Sequence, residues 1–167
     1  MKISLIFIST LLVLSVFLPF FLFIYNGTKN TVSIKKQANA LVKNNGLLYS
    51  LKEVWRKNFI GISTKNNTLT YIKFNSDKSH VINDVNLNEV KQCNILKNYN
   101  NGSNKSLFLK SLDLEFVYKS SAKPNLILNF FNIDDDLSED FELQRIEKWH
   151  TLIKSAISEP LIVKMAS

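Results

Sequence analysis

The chain has 167 residues, with 21 Lys and Arg against 14 Asp and Glu, for a net charge of +7. That is room for one ordinary domain after an apolar start, and enough to bury a core without metal. The single cysteine, Cys93, excludes an intramolecular disulfide. Only Arg56 and Arg145 are arginines, so the basic excess lacks the forked donors that read phosphate and base edges, and no nucleic-acid partner is expected.

The apolar start comes first in chain order. Residues 3–25 carry no charge, and their polar members, Ser4, Ser9, Thr10 and Ser15, are small hydroxyls that can bond back to helix carbonyls. This length predicts a transmembrane helix, with Pro19 tolerated inside it. A cleaved signal peptide is the competing reading, but its apolar stretch is shorter and ends at a small-x-small site, which Phe23, Ile24, Tyr25 and Asn26 do not offer. Membrane lipid is therefore an expected partner through this helix. Lys29, Lys35, Lys36 and Lys43 follow it, against Lys2 before it. The lysine excess predicts a single-pass protein of the inner (plasma) membrane with its domain facing the cytoplasm.

Residues 26–46 read as a juxtamembrane connector whose helix runs from Thr31 to Asn45. Thr31 or Ser33 is placed to cap it and Gly46 to end it. Ile34, Ala38, Leu41 and Val42 share a face at helical spacing. Two readings stand: the helix packs on the domain with its lysines solvated, or Lys29, Lys35, Lys36 and Lys43 touch an anionic membrane surface.

Residues 47–158 form the predicted domain. Residues 47–57 fit no single pattern, although Leu47, Leu48, Leu51, Val54 and Trp55 suggest burial. Strands are expected at Phe59–Ser63 and Thr68–Phe74, joined as a hairpin by Lys65, Asn66 and Asn67. Further strands are expected at His80–Val85 and Glu89–Lys97, followed by a polar loop from Tyr99 to Ser106. Within Leu107–Lys119 the alternation of Leu112, Leu114, Phe116 and Tyr118 with Asp113, Glu115, Val117 and Lys119 predicts a sheet with one buried face. After a turn around Pro124, Leu126–Ile133 is the last strand.

The acidic run Asp134–Asp136 then leads into a helix ending near Ser158. Its apolar stripe is Leu143, Ile146, Trp149, Ile153 and Ala156/Ile157. Asp136 or Ser138 is expected to cap it, and the neighbouring carboxylates to complement its dipole. Pro160 stops it, leaving a flexible tail, 159–167. Grouped strands before a single helix make the expected fold class α+β: a small antiparallel sheet or partly open barrel closed by a C-terminal amphipathic helix, behind the N-terminal transmembrane helix.

From about Lys57 to Ser158 this order resembles a pleckstrin-homology-like domain. The features that carry the resemblance are Trp149 midway along the closing helix, Phe59-Ile60-Gly61-Ile62 before a hairpin, and Leu112–Phe116. The whole chain is similar to small bacterial, Bacteroidetes-type, single-pass membrane proteins that join one helix to such a domain. The resemblance implies a scaffold that binds proteins, peptides or lipids and seldom catalyses. The basic lipid-phosphate motif of eukaryotic members is poorly matched, with only Lys57, Lys65 and Lys73 near the first hairpin.

Little in the chain points to chemistry. His80 and His150 have no metal-ligand spacing around them. Cys93 lies on an expected strand and reads as a small buried hydrophobe. Asp134–Asp136 lacks the central glycine of a calcium loop. Four glycines, Gly27, Gly46, Gly61 and Gly102, make no phosphate-binding loop. The expectation is therefore a membrane-anchored, non-enzymatic protein-interaction module with an unknown protein partner, no cofactor, no metal and no small-molecule substrate. A peripheral sensor of anionic lipid, using the basic face, is the alternative.

Overall fold

The computed structural model describes the chain except residues 1–4, 76, 78, 102–106, 137, 138, 140 and 159–167, and describes residues 5–8 and 22–31 by their backbone only. Within it, α1 (Leu5–Asn44) precedes seven strands: β1 (Leu51–Trp55), β2 (Asn58–Ser63), β3 (Thr68–Phe74), β4 (His80–Asn86), β5 (Val90–Asn101), β6 (Leu107–Tyr118) and β7 (Leu126–Asn132). The closing helix is α2 (Glu142–Ser158). All strand pairings are antiparallel, in two sheets of order β1-β2-β3-β4 and β5-β6-β7. The fold is therefore α+β, with two sheets where one small sheet or barrel was expected. The two sheets and α2 enclose the main core, which includes Trp55, Ile60, Leu69, Tyr71, Leu114, Phe116, Phe130 and Trp149.

The start of the chain departs from expectation. Among the described residues no helix is long and apolar enough to cross a membrane. A transmembrane helix over 3–25 is thus corrected, and with it the lipid partner through that helix, the single-pass inner-membrane location and the membrane anchoring of the module. The backbone does not break near Tyr25. One 40-residue helix carries it on through Lys29, Lys35, Lys36 and Lys43 to Asn44. The helix expected to start at Thr31 is the second half of α1. It ends at the expected place, with Gly46 at φ +70° just beyond it, a conformation that costs glycine little.

The second half of α1 explains a feature of the first sheet. Every residue of β2 is buried, whereas a strand with one wet face would alternate. Ile60 and Ile62 face the main core. Phe59, with Ile72 and Phe74 of β3, faces the other way and packs against Ala38 and Val42, with Ile34 and Leu41 partly buried at the margin. The chain after α1 is tied down by a row of hydrogen bonds across this outer face: Asn45 Nδ2 to Tyr49 Oη (2.7 Å), Tyr49 Oη to Thr70 Oγ1 (2.7 Å), and Thr70 Oγ1 to Asp84 Oδ1 (2.5 Å). The Tyr49 ring lies so close over Gly61 that a Cβ there would sit 2.6 Å from Tyr49 Cδ1.

On α2 the expected stripe is buried at Ile146, Trp149, Ile153 and Ala156, with Leu143 and Ile157 at its margin. The cap expected at Asp136 is corrected. The Asp136 carboxylate pairs instead with Arg56 (3.1 Å) and that of Asp135 with Lys73 (3.1 Å), while Glu139 accepts from the Leu143 amide (3.2 Å). Ser138 and the tail 159–167 lie outside the described residues.

Two charge clusters bind α2 to the first hairpin. Arg56, at the β1–β2 turn with φ +45°, donates to the buried Glu142 (2.7 Å). Glu53 accepts from Arg145 Nε (2.8 Å), Lys148 Nζ (3.0 Å) and Trp149 Nε1 (2.9 Å). Burial pushes the Glu53 carboxyl up, but those hydrogen bonds and the Lys148 charge together hold it below the ordinary carboxylate range. A depressed carboxylate stabilises the fold above its unfolded pKa and ceases to as pH falls through its folded one. Thermal unfolding should therefore move to lower temperature as pH drops below about 4.5. Glu53→Gln should lose stability at pH 7 and show a shallower decline in acid, as read by circular dichroism melts at several pH values.

Candidate functional site

Two strands of the second sheet are edges, β5 and β7, and β5 runs beside α2. Edge strands present unpaired backbone donors and acceptors. Which residues of β5 do so follows from one contact. His150 Nε2 lies 3.0 Å from the Cys93 carbonyl. A carbonyl only accepts, so Nε2 carries the proton and donates. The Cys93 carbonyl therefore points toward α2, away from β6. Strand alternation then turns the amides and carbonyls of Ile95 and Lys97 the same way, while Asn94 and Leu96 face β6 opposite Glu115 and Asp113.

Beside this edge runs a groove of about 320 Å³. Lys91, Cys93 and Ile95 line it from β5, and His150, Lys154 and Ile157 from α2. The three α2 residues recur at i, i+4 and i+7, which puts them on one flank of the helix, next to the stripe that enters the core. Apolar contact is available from Ile95 and Ile157, and positive charge from Lys91 and Lys154. None of the described lining residues is acidic. The Cys93 thiol is buried against the core, and burial first, then the Glu115 charge, push its pKa up to about 12. At neutral pH it is a thiol, not a nucleophile.

A second cavity, about 380 Å³, opens between the sheets near Lys57, Lys73 and Asp134–Asp136. Three of its charged groups are held in ion pairs. Lys73 Nζ is held by Asn129 Oδ1 (3.0 Å) and Asp135 (3.1 Å), and Asp136 by Arg56. Behind it the Tyr71 hydroxyl bonds the Asn129 carbonyl and Asn58 Oδ1 (3.0 Å). Burial, with the charges of Asp113 and Asp136, raises the Tyr71 pKa far above that of a free phenol. Among the described residues no three His, Cys, Asp or Glu come together as a metal-holding group.

The lysines singled out for a membrane surface do not converge on the groove. Lys35, Lys36 and Lys43 are exposed on α1, and Lys29 lies on its backbone with a side chain outside the described set. His80 is exposed on β4 beside Phe74, with ring centroids 6.1 Å apart. Sequence reasoning misses the groove residues, although His150, Lys154 and Ile157 share a helical flank. Nothing local links them to a strand more than fifty positions earlier. No protein-family model matches the chain, nor does any curated protein or solved structure.

Proposed function

We propose that this chain is a non-enzymatic protein-interaction module that docks an extended segment of a partner against the β5 edge, in the groove walled by α2. The observation that carries this reading is the coincidence of an edge with outward-facing backbone groups and a groove beside it, lined from both β5 and α2. Backbone hydrogen bonding gives such docking its affinity and the flanking pocket its selectivity. The lining adds a preference. Lys91 and Lys154 favour an acidic residue in the partner, and Ile95 with Ile157 an apolar one near it. The resemblance to pleckstrin-homology-like domains, which implies a binding scaffold, supports the same class of function.

A peptide library displayed on phage and panned against the full chain tests this. Enriched peptides should carry acidic and apolar residues in an extended pattern. Lys97→Pro removes one outward amide and leaves the β6 ladder intact, so it should weaken the selected peptides by up to about tenfold, the worth of one backbone hydrogen bond. Lys154→Glu should weaken the acidic ones and spare uncharged ones. Failure to enrich any sequence, or binding indifferent to both substitutions, would overturn the reading.

A further inference from the structure

Among the described edges, β4 has neither a register break nor a lysine or arginine, Asp84 being its one full charge. Edges are ordinarily blunted by shortness, charge, proline or a bulge. β1 has 5 residues and carries Lys52. β5 carries Lys91 and Lys97, and its register breaks at Val90/Gln92 and Asn98/Tyr99 leave only the stretch between them, beside α2, regular enough to take the partner segment proposed above. β7 pairs with β6 across a register break at Leu112/Asp113. β4, His80-Val81-Ile82-Asn83-Asp84-Val85-Asn86, pairs with β3 in unbroken register and has no lysine, arginine or proline. Val81 is 53 % exposed and Ile82 45 %.

The orientation of its backbone is fixed. The Phe74 amide donates to the Lys57 carbonyl (2.8 Å), toward β2, and the Asn75 amide to the Ser79 carbonyl (2.8 Å), toward β4. Odd-numbered residues of β3 thus face β4. Their partners Val81, Asn83 and Val85 face back, which turns the backbone groups of His80, Ile82 and Asp84 outward.

We propose that β4 pairs antiparallel with β4 of a second copy of this chain, about a two-fold axis at Ile82, joining the two four-stranded sheets into one. Centred there, every outward residue meets an outward residue, as a hydrogen-bonded ladder requires. Ile82 meets its own copy, and the two exposed aliphatic side chains cover each other. His80 meets Asp84 of the second copy, twice by symmetry. This charge complementarity selects the register: shifting the axis to Asn83 would set Ile82 against Asp84 and separate the imidazole from the carboxylate. His80, Ile82 and Asp84 share one face of the strand, so the imidazole–carboxylate contacts flank the aliphatic one.

The test is made on the full chain with Cys93→Ser as background, so that an added thiol is the only one. Partners in a hydrogen-bonded antiparallel pair stand about 5.5 Å apart at Cα, within the roughly 4.4–6.8 Å that a disulfide spans. Under mild oxidation Ile82→Cys should give a covalent dimer on a non-reducing gel, and Asn83→Cys should not. Added to Ile82→Cys, His80→Asp, which faces a carboxylate with a carboxylate, should diminish the covalent dimer, and His80→Lys should retain it. Without the thiol, Ile82→Lys should sediment as a monomer where the parent chain sediments as a dimer. A dimer that Ile82→Lys leaves intact would place the association elsewhere, for instance on the exposed apolar part of α1. That result, or a folded Ile82→Cys protein that yields no covalent dimer, would overturn the proposal.

Discussion

Trp149→Ala should cost the domain about 3–5 kcal/mol, the range for deleting a large aromatic side chain from a core, and should lower the melting temperature by on the order of 10 °C for a chain of this size. Trp149 is fully buried at the centre of the α2 stripe, among side chains of both sheets. Removing its indole opens a void that Ile146 and Ile153, on the same helix, cannot fill without moving the helix. A domain of this size has about 5–15 kcal/mol in total, so the loss is a large share of what holds it folded. The hydrogen bond to Glu53 is the smaller part. Glu53 keeps Arg145 and Lys148 as donors and is partly open to water. Trp149→Phe, which keeps most of the apolar volume and forfeits that bond, should therefore lose about 1–2 kcal/mol. Urea titrations of the three proteins, followed by far-ultraviolet circular dichroism, measure both differences. Equal losses for Ala and Phe would mean that the hydrogen bond, not the packing, holds α2.

How much of this arrangement can be read from the sequence depends on where each residue finds its partner. β6 is legible because its register partners on both sides are strands, so one face meets the core and the other meets water. The stripe of α2 is legible for the same reason, in the helical period. β1 is not. Its one fully buried residue is Trp55, and Leu48 and Leu51, which suggest burial by their chemistry, are exposed. β2 and β3 lie where their patterns place them, but the burial of both their faces depends on α1, which returns from outside the local pattern to cover Phe59, Ile72 and Phe74. The polar stretch Tyr99–Asn101 reads as loop, yet it continues the β5 ladder opposite Leu107, Phe108 and Leu109. Backbone pairing with an apolar partner strand overrides the low strand preference of asparagine. Asp135 and Asp136 read as belonging to the helix that follows them, since the partners they use, Lys73 and Arg56, are distant in sequence. The groove is invisible for the same reason. Its two walls are individually ordinary, and only the packing of α2 beside β5 makes them a site.

The strongest non-additivity in the molecule should lie between Arg56 and Glu142. Glu142 is 1 % exposed, and its carboxylate meets Arg56 Nε at 2.7 Å and Arg145 Nη1 at 3.7 Å. Arg56→Met leaves this buried carboxylate without its closest counter-charge. Losing one partner of a fully buried pair costs roughly 3–5 kcal/mol. Here the expectation is about 2–3 kcal/mol, because the guanidinium is itself one quarter open to solvent and Arg145 remains nearby. Glu142→Met should cost a similar amount, since it leaves Arg56 only the half-buried Asp136 among its two carboxylate ion-pair partners. The double substitution removes both charges from a site that can accept apolar volume, so it should cost much less than the two singles together. A double-mutant cycle in urea gives the coupling directly. A value near zero would mean that each residue is stabilised by other neighbours and that the pair is incidental to the closure of α2. A coupling of about 2 kcal/mol or more would make the pair the electrostatic clasp between the first hairpin and the helix that walls the groove. The same substitutions should then weaken peptide docking at β5, although neither residue lines the groove, because the wall they hold in place would loosen.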